Sequence, residues 1–289
     1  MRYVQLRAFH NVAVHGGFSR AAAALFLTQP AISDQVKKLE LEYDILLFNR
    51  HQKQLTLTRQ GQKLLKITNR LFETERQAAE LLSEARAIGV GKLTIIADSI
   101  MHIVDILSGF RKRYPNVEIE VHSGNSQEIV EKLRAYQADI GVLGEVPASG
   151  KFKAIKLSST RLLAYVSRGH ELSACGGMTL EKILQYPLVL REKGSKTRQI
   201  FEDIAARRSL YVRPAIVAQG RGAVGEIVAE GAGVGIISAA EFGGNSRLVA
   251  FEISDCNIEM DEALICLKER KASKLINAFM SLAKKQTAK

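Results

Sequence analysis

Hydrophobic positions at helical spacing open the chain. Over residues 2–15 they fall at positions 4, 6, 9, 12 and 13, which predicts a first helix with one apolar side. Its predicted apolar side consists of Val4, Leu6, Phe9, Val12 and Ala13. This helix is therefore expected to pack through that side against the elements that follow.

Two short helices joined by a tight turn are predicted next, between residues 18 and 39. Ser19 and Thr28 are the predicted N-caps, because a hydroxyl can accept a hydrogen bond from a free backbone N–H of the first turn. Pro30 falls in the first turn of the second helix, where a missing N–H costs little. The apolar side of the second helix contains Ile32, Val36 and Leu39, and its polar side contains Gln29, Ser33, Asp34, Lys37 and Lys38.

The polar side of the second helix points to a function. The alanines at 21–24 let the two helices cross closely, as a helix-turn-helix requires. A face rich in hydrogen-bonding groups can then read base edges in the major groove of DNA. A small α-hairpin with a solvated charged face is the alternative for this segment alone.

A β-hairpin is predicted over residues 45–58, where two short β-type runs flank a polar and basic tip. A hairpin after such a helix is typical of a wing. Arg50, His51 and Lys53 are then placed to contact phosphates or the minor groove. An ordinary surface turn is the alternative, and the position of the hairpin disfavours it.

A long helix is predicted from residue 59 to about residue 87, with Thr58 as its N-cap. One stripe of positions on it alternates by three and four residues, the period of a left-handed coiled coil. The stripe consists of Leu64, Ile67, Leu71, Thr74, Ala78, Leu81, Ala85 and Ile88. A long helix with few neighbours needs a partner to cover such a stripe, so dimerisation is predicted. Packing on its own domain is the alternative, and Gly89 and Gly91 are predicted to end the helix.

Strands and helices alternate from residue 92 onward, which predicts a mostly parallel sheet. A first lobe is predicted at residues 91–161 and 265–289, and a second lobe at 162–264. The predicted strands are 93–97, 117–121, 140–143, 163–166, 188–190, 215–218, 235–237 and 263–267. The predicted helices are one ending at residue 113 and those at 127–137, 198–208, 224–229 and 274–284. Two lobes with a returning C-terminal segment predict a hinged pair with a cleft between them.

Composition and charge restrict the possible partners and cellular location of the protein only slightly. The 289 residues carry a net charge of +11 with a pI of about 9.6, which suggests a polyanionic partner. No signal peptide is visible and no apolar run approaches the roughly 18 residues of a membrane span, so the cytoplasm is the expected location. Cys175, Cys256 and Cys266 have no metal-ligand spacing and are predicted to be buried, inert thiols, with a redox role as the alternative.

The chain as a whole resembles a LysR-type transcriptional regulator. The motifs that carry the resemblance, in order, are Leu6–Phe9, Gly17–Ala22, Leu27–Ser33, Gln35–Glu40, Leu47–Arg50, Leu57–Thr58 and Gly61. The resemblance implies an all-α winged helix-turn-helix domain at 1–58, a dimerising linker helix at 59–89 and a two-lobed α/β effector-binding domain at 90–289, similar to periplasmic binding proteins. It also implies that the protein binds double-stranded promoter DNA as a homodimer or homotetramer, and that a small molecule changes how the DNA is held. RNA polymerase is a candidate further partner, and no cofactor, metal or membrane is expected.

The predicted DNA-contacting residues follow from the helix-turn-helix and the wing. They are Ser19, Arg20, Thr28, Gln29, Pro30, Ser33, Asp34, Lys37, Lys38, Arg50, His51 and Lys53. Asp34 departs from the family, which often carries arginine after this serine. A carboxylate can accept a hydrogen bond from a cytosine amino group or orient a neighbouring lysine, so the family's operator preference is not transferred. Residues 34–40 also resemble the subgroup associated with aminoethylphosphonate catabolism.

Four segments at the carboxyl ends of predicted strands are the candidate ligand site. Small and polar residues at helix starts offer free N–H groups, which favour an anion, and basic side chains would add charge-assisted hydrogen bonds. The predicted effector contacts are Asp98, Ser99, Ile100, Ser126, Gln127, Ser195, Lys196, Thr197, Arg198 and Arg221. Ser99 and Arg221 are assigned to different lobes, so a bridging anion is expected to touch both.

Two other classes of function are weighed against a regulator. A periplasmic solute-binding protein would share the two lobes but would carry a signal peptide and no recognition helix. An enzyme would need converging acid, base or nucleophilic groups, whereas the six histidines show no metal spacing or triad arrangement. The ligand, the operator, the choice between activation and repression, and the choice between dimer and tetramer do not follow from the sequence.

Overall fold

The computed structural model of the chain describes residues 1–51, 54–82, 91–256, 259–270 and 273–287. The chain divides into two compact units, residues 1–84 and 85–289. The predictions for Lys53 and for Ala85, Ile88 and Gly89 lie outside the described residues. The side chains of Arg50, His51 and Leu81 also lie outside them.

The N-terminal unit consists of helices followed by a hairpin and a long helix. Its elements are α1 (Tyr3–His15), α2 (Phe18–Leu25), α3 (Gln29–Glu42), β1 (Phe48–His51), β2 (Gln54–Leu57) and α4 (Arg59–Leu82). The two strands pair antiparallel, with Phe48 opposite Leu57. The predicted helix-turn-helix and hairpin are therefore present.

The core of this unit joins the first three helices. Phe9, Val12, Ile32, Val36 and Leu39 are buried, which confirms the predicted apolar faces of α1 and α3. One position differs, because the side chain of Val4 is 52% exposed.

The predicted helix caps are corrected in part. Gly17 is the N-cap of α2, so Ser19 lies inside the first turn and caps nothing. Thr28 does occupy the N-cap position of α3, but its hydroxyl makes no capping hydrogen bond. Pro30 lies in the first turn of α3, as predicted. The missing N–H of proline and the polar start of α3 therefore define this end without a side-chain cap.

Helix α4 starts in tight contact with the hairpin. The hydroxyl of Thr58 accepts a hydrogen bond from the N–H of Gly61 at 3.0 Å, as predicted for the N-cap. The N–H of Thr58 donates to the carbonyl of Leu47 at 3.0 Å. A Cβ atom on Gly61 would overlap that carbonyl oxygen, so only glycine permits this approach.

Helix α4 has two different sides. Leu65 and Phe72 pack against the core of the N-terminal unit, and the ring of Phe72 lies 4.5 Å from that of His10. On the predicted coiled-coil stripe, Ile67 is 63% exposed and Leu71 is 40% exposed. The helix therefore packs on its own unit through one side, which includes Leu64 of the stripe. Of the stripe positions that the structure describes, Ile67, Leu71, Thr74 and Ala78 are exposed.

The C-terminal unit alternates strands and helices. Its strands are β3 (Gly91–Ala97), β4 (Val117–Ser123), β5 (Ile140–Gly144), β6 (Phe152–Ser167), β7 (Gly177–Met178), β8 (Leu188–Arg191), β9 (Pro214–Ala218), β10 (Val234–Ser238), β11 (Leu248–Ile253) and β12 (Glu259–Leu267). Its helices are α5 (Val104–Arg113), α6 (Ser126–Arg134), α7 (Leu180–Ile183), α8 (Lys196–Arg207), α9 (Arg221–Ala229) and α10 (Lys274–Thr287), with short 3-10 turns at Ile100–Ile103, Glu171–Ala174 and Lys268–Arg270.

The strand order defines two lobes joined by long strands. The order is β4-β3-β5-β12-β6-β10-β8-β9, with β11 beside β6 and β7 beside β11. β3, β4 and β5 are parallel to one another in lobe I, and β8, β9 and β10 are parallel in lobe II. Buried hydrophobic clusters lie in each lobe. One contains Leu93 and Phe279, and another contains Leu188 and Phe201.

The long antiparallel strands β6 and β12 extend beyond the strands predicted at 163–166 and 263–267. β6 starts at Phe152 rather than near Leu163 and pairs with β12 through the part that precedes lobe II. The first half of β6 was not predicted as a strand because lysine and serine residues interrupt its apolar residues. Strands β7 and β11 were also missed, and the sheets are mixed rather than mostly parallel. Among the described helices, none combines the length and apolarity needed to cross a bilayer.

Candidate functional site

The N-terminal surface predicted to meet DNA is formed by α3 (the recognition helix). Gln29, Pro30, Asp34, Lys37 and Lys38 are exposed on it. Ser33 is half-buried at the edge of the same face. The burial of Ile32, Val36 and Leu39 on the other side fixes this face outward. The predicted polar surface is therefore continuous along the helix.

The carboxylate of Asp34 orients a lysine on the recognition helix. Lys38 Nζ lies 2.7 Å from Asp34 Oδ2, one helical turn away, and both side chains are more than half exposed. An exposed pair of this kind contributes little to stability. The pair is compatible with the predicted orientation of a neighbouring lysine by Asp34, and both roles considered for Asp34 stay predictions.

Other predicted DNA contacts lie near the start of the helix-turn-helix. Ser19, Arg20 and Thr28 are exposed. Arg20 donates from Nη2 to the carbonyl of Gly16 at 2.6 Å, which holds the guanidinium over the α1–α2 turn. A phosphate oxygen would have to share or replace that hydrogen bond.

In the C-terminal unit, the predicted effector residues lie around two cavities between the lobes. We call the first the Arg191 cavity: it measures about 280 Å³ and is lined at its charged end by Asp98, Ser99, Arg191, Glu192 and Arg221. We call the second the Ser195 cavity: it measures about 490 Å³ and is lined by Ser126, Gln127, Glu145, Ser195 and Lys196, among others. Ile100 lies on the first, and Arg198 on the second.

The cations of the Arg191 cavity are already paired with carboxylates. The guanidinium of Arg191 donates to Asp98, and its Nη2 lies 2.9 Å from Glu192 Oε1. Burial raises the pKa of Asp98 although Arg191 stands beside it. Arg191 was missed by sequence reasoning, because it reads as the last residue of a buried strand.

The same cavity contains a direct contact between the lobes. Arg221 donates from Nη1 to the hydroxyl of Ser99 at 2.8 Å, and the same nitrogen lies 2.9 Å from Glu241 Oε1. Ser99 and Arg221 were expected to be joined by a bound anion. They are in direct contact, and Glu241 forms an ion pair with the arginine.

The Ser195 cavity lies between two helix N-termini. Ser126 is the first residue of α6 and Ser195 is the N-cap of α8. Both serine hydroxyl oxygens are buried and have no hydrogen-bond partner among the described residues. The N–H of Gln127 donates to the carbonyl of Gly194 at 3.4 Å, which brings the two lobes together at this edge.

Basic side chains surround this second cavity. Lys193 is exposed, Lys196 pairs with Glu145, and Arg198 Nε lies 2.7 Å from Glu202 Oε1. With three cations and two carboxylates on its lining, the cavity has one positive charge in excess. The dipoles of α6 and α8 add to that potential at their N-termini, although in α6 the N–H of Gln127 already donates to Gly194 and that of Glu128 to Asn125.

Thr197 does not line either of these cavities. It is buried in α8, and its hydroxyl faces Met260 Sδ at 3.8 Å. Its predicted role as an effector contact assumed that every polar residue at this helix start faces the cleft. The helical rotation instead places Thr197 toward the inside of lobe II.

A further group of side chains, which the sequence did not reveal, lies beside the Arg191 cavity. His102, Glu241 and Glu262 come together there, with His102 Nε2 3.5 Å from Glu241 Oε1 and 3.6 Å from Glu262 Oε1. Burial raises the pKa of Glu262 to about 7. These residues are 21 to 160 positions apart along the chain, so no spacing motif could have identified them.

Comparison with known proteins assigns a family to each unit. The family model "Bacterial regulatory helix-turn-helix protein, lysR family" matches residues 3–62, and "LysR substrate binding domain" matches residues 89–288. The chain is 26% identical over 281 residues to the HTH-type transcriptional activator CmpR of Synechocystis sp., covering 96% of this chain and 92% of CmpR. These matches are to transcriptional regulators and not to enzymes.

Solved structures share the fold. Full-length CbnR in a complex with its target DNA has a TM-score of 0.69 and 20% identity, covering 99% of each chain. The regulatory domain of CcmR from Synechocystis PCC6803, in complex with 2-PG, has a TM-score of 0.62 and 20% identity, covering 68% of this chain and 97% of that domain. With both of its units matched by family models, this chain belongs to the LysR family of DNA-binding transcriptional regulators.

Proposed function

We propose that the protein controls transcription as a homo-oligomer whose hold on promoter DNA is changed by a small anion bound in the Ser195 cavity. The observation that carries this proposal is the pair of buried hydroxyls of Ser126 and Ser195, neither of which has a hydrogen-bond partner in the part of the chain that the structure describes. Leaving such groups without a hydrogen bond costs about 1–3 kcal/mol each. A ligand with several acceptor oxygens placed between them would remove that cost.

Charge favours the Ser195 cavity over the Arg191 cavity for an anion. Asp98, Glu128 and Glu192 line the Arg191 cavity against Arg191 and Arg221, so its lining has one negative charge in excess. An anion entering there would have to displace a carboxylate from a buried arginine. Asp98, Ser99, Ile100 and Arg221 stay predicted contacts for any ligand large enough to span both cavities.

The chemical class of the effector is proposed from the donors of the cavity. Two helix N-termini, two hydroxyls and nearby lysines suit a phosphate, phosphonate or carboxylate group. The relative CcmR binds 2-PG in its solved structure, which supports a small ligand in this fold. Aminoethylphosphonate, suggested by residues 34–40, stays a prediction, as does contact with RNA polymerase.

The DNA-binding part of the proposal rests on the exposed face of α3. Its polar residues form the surface that a major-groove reader needs. Oligomerisation rests on α4, where Ile67 and Leu71 are exposed along a seven-residue repeat. CbnR, which shares the fold, has been solved on its target DNA. A site formed by two recognition helices is expected to be a pseudo-palindrome.

Calorimetry on the full-length protein tests the effector site. 2-PG and 2-aminoethylphosphonate serve as the two probes, with wild type, Ser126→Ala, Ser195→Ala and the control Ser108→Ala, an exposed serine of α5. A probe that binds wild type and the control equally, and both cavity variants at least about tenfold more weakly, supports the assignment. Binding that survives both cavity substitutions unchanged would move the effector site elsewhere, whereas regulation of transcription would stand.

A further inference from the structure

Three side chains from separate parts of the C-terminal unit meet beside the hinge between the lobes. His102 lies in the 3-10 turn that follows β3 in lobe I, and Glu241 follows β10 in lobe II. Glu262 lies on β12, where the pairing with β6 shifts register between Glu262 and Ala263. Such a bulge changes the direction of a side chain, so that it departs from the regular alternation of side chains between the two faces of the sheet. We call these three residues the hinge cluster.

The hinge cluster is buried and incompletely satisfied. The side chains of His102, Glu241 and Glu262 are 6%, 6% and 3% exposed. His102 Nε2 and Glu262 Oε2 have no hydrogen-bond partner among the described residues. Buried polar atoms of this kind are rare in native structures and call for an explanation, such as an ion that would complete them.

The distances in the cluster match those between ligands of one metal ion. The imidazole nitrogen lies 3.5 Å from one carboxylate and 3.6 Å from the other. Two ligand atoms that each lie about 2.1 Å from a tetrahedral Zn²⁺ are about 3.4 Å apart. One ligand atom from each of the three residues can be chosen with all of them within 4.8 Å of one another.

The local charge also calls for a cation. The buried or half-buried ionic groups around the cluster are the carboxylates of Asp98, Glu192, Glu241 and Glu262 and the guanidinium groups of Arg191 and Arg221. With a metal ion bound, His102 neutral and every carboxyl group deprotonated, four carboxylates would face two guanidinium groups. A single divalent cation would balance this set.

The neighbours of the cluster do not block it. Arg221 Nη1 lies 2.9 Å from Glu241 Oε1 as an ion pair, but a carboxylate oxygen has a second lone pair and can face an arginine while it binds a metal. Ligating carboxylates are in fact commonly held by such an outer partner. Arg221 would therefore orient Glu241 and would also compensate part of the charge.

We propose that the hinge cluster binds one divalent transition-metal ion through His102 Nε2 and the carboxylates of Glu241 and Glu262. A nitrogen and two carboxylate oxygens suit Zn²⁺, Mn²⁺, Fe²⁺ or Co²⁺ and disfavour the all-oxygen cations Mg²⁺ and Ca²⁺. The ion would join lobe I, the strand between the lobes and lobe II at one point. It would thus stabilise one relative position of the lobes, independently of any anion in the Ser195 cavity.

The first test locates the metal in the wild-type protein. The full chain is stripped with a chelator, desalted, crystallised and soaked with Co²⁺ or Zn²⁺. An anomalous difference peak between His102, Glu241 and Glu262 is expected. A peak only at other residues, or no peak in the unit that contains the cluster, would overturn the proposal without reference to any variant.

The second test measures the contribution of the ligands in solution. Co²⁺ is titrated into the full chain by calorimetry and visible absorption, with Mg²⁺ as the non-binding control. One equivalent per chain is expected for wild type, and His102→Asn and Glu262→Gln should bind at least about 100-fold more weakly. The matched control His170→Asn, which changes a half-buried histidine outside the cluster, should bind as wild type does. Equal affinity of His102→Asn and wild type would refute the site.

Discussion

Arg221 Nη1 lies 2.8 Å from Ser99 Oγ, so a hydrogen bond between the two lobes closes one end of the cleft. The same nitrogen faces Glu241 at 2.9 Å. The two lobes are therefore in direct contact at this point. Any ligand that enters here must compete with a contact that the protein already makes.

Arg221→Ala tests how much this contact holds the lobes. The change removes the hydrogen bond to Ser99 and leaves the buried carboxylate of Glu241 without its arginine. We expect the free energy of unfolding of the C-terminal unit to fall by on the order of 1–3 kcal/mol, measured by denaturant titration in the presence of a chelator. Arg221→Ala combined with Glu241→Gln should recover part of the loss, since the second change removes the stranded charge. A single variant as stable as wild type would show that the contact is not significant.

Gly194→Ala should separate the lobes at the Ser195 cavity. Gly194 has a φ of +95°, and a Cβ atom there would lie 2.8 Å from Asn125 Oδ1 across the cleft. We expect a loss of stability of more than about 1 kcal/mol, measured by thermal unfolding, because strain and overlap add. Gly150→Ala is the matched control, with a φ of +65° and open space around it. An equal loss for both variants would mean that backbone strain, and not contact with Asn125, explains the effect.

Leu71→Asp should break the oligomer. Leu71 is 40% exposed in the middle of the α4 stripe, and a charge buried there by a partner helix would cost several kcal/mol. Light scattering should show a smaller species, and operator affinity should fall, with the C-terminal unit still folded by circular dichroism. Gln62→Asp places the same charge on an exposed position near the start of α4 and should change neither property. A Leu71→Asp protein with wild-type mass and affinity would contradict a coiled-coil dimer.

Substitutions on the recognition helix should divide into two classes. Lys38→Ala should weaken binding to all DNA sequences about equally and reduce the slope of log K against log salt by about one, as expected for a phosphate contact. Ser33→Ala should instead change the ratio of affinities between operator variants. Both follow from titrations at several salt concentrations, with Lys112→Ala in the C-terminal unit as the control. Normal DNA binding by both variants would remove α3 from the interface.

The pH dependence of the N-terminal unit should depend on His10. Burial lowers the pKa of His10 from 6.5 to about 4, and the ring lies against Phe72. Because the folded protein takes up this proton less readily than the unfolded chain, its contribution to stability is complete above pH 6.5 and is lost as the pH falls toward 4. An NMR titration of the His10 ring in the full chain should give the low value, and His10→Gln should flatten the decline in stability. Titration of His10 near 6.5 would show that the ring is open to water.

Local signals were sufficient for the N-terminal unit. Pro30 and the spacing of Ile32, Val36 and Leu39 predicted the position and the buried face of α3. The predicted N-cap at Ser19 was wrong because Gly17 is the N-cap of α2, and the helix begins at the next residue. The sequence is therefore informative about features that depend on residues within about one helical turn of each other.

Long-range pairing set the limit in the C-terminal unit. The first half of β6 is stabilised by its register with β12, in which Ile155 faces Leu264, and not by a local apolar run. Likewise, Arg191 and the hinge cluster acquire their partners only when the two lobes come together. The sequence predicted which loops approach the cleft, but not that its arginines would already be neutralised by carboxylates.

The close approach of Gly61 to Leu47 couples the hairpin directly to the start of α4. With 24 residues, α4 is about 36 Å long. If α4 pivots at the end away from the hairpin, a tilt of about 10° would move the hairpin by on the order of 6 Å. That distance is nearly two base-pair steps of DNA. If two copies of the chain pair through α4, small angular adjustments between them would be magnified into a change of half-site spacing, and a flexible joint at position 61 would reduce that change.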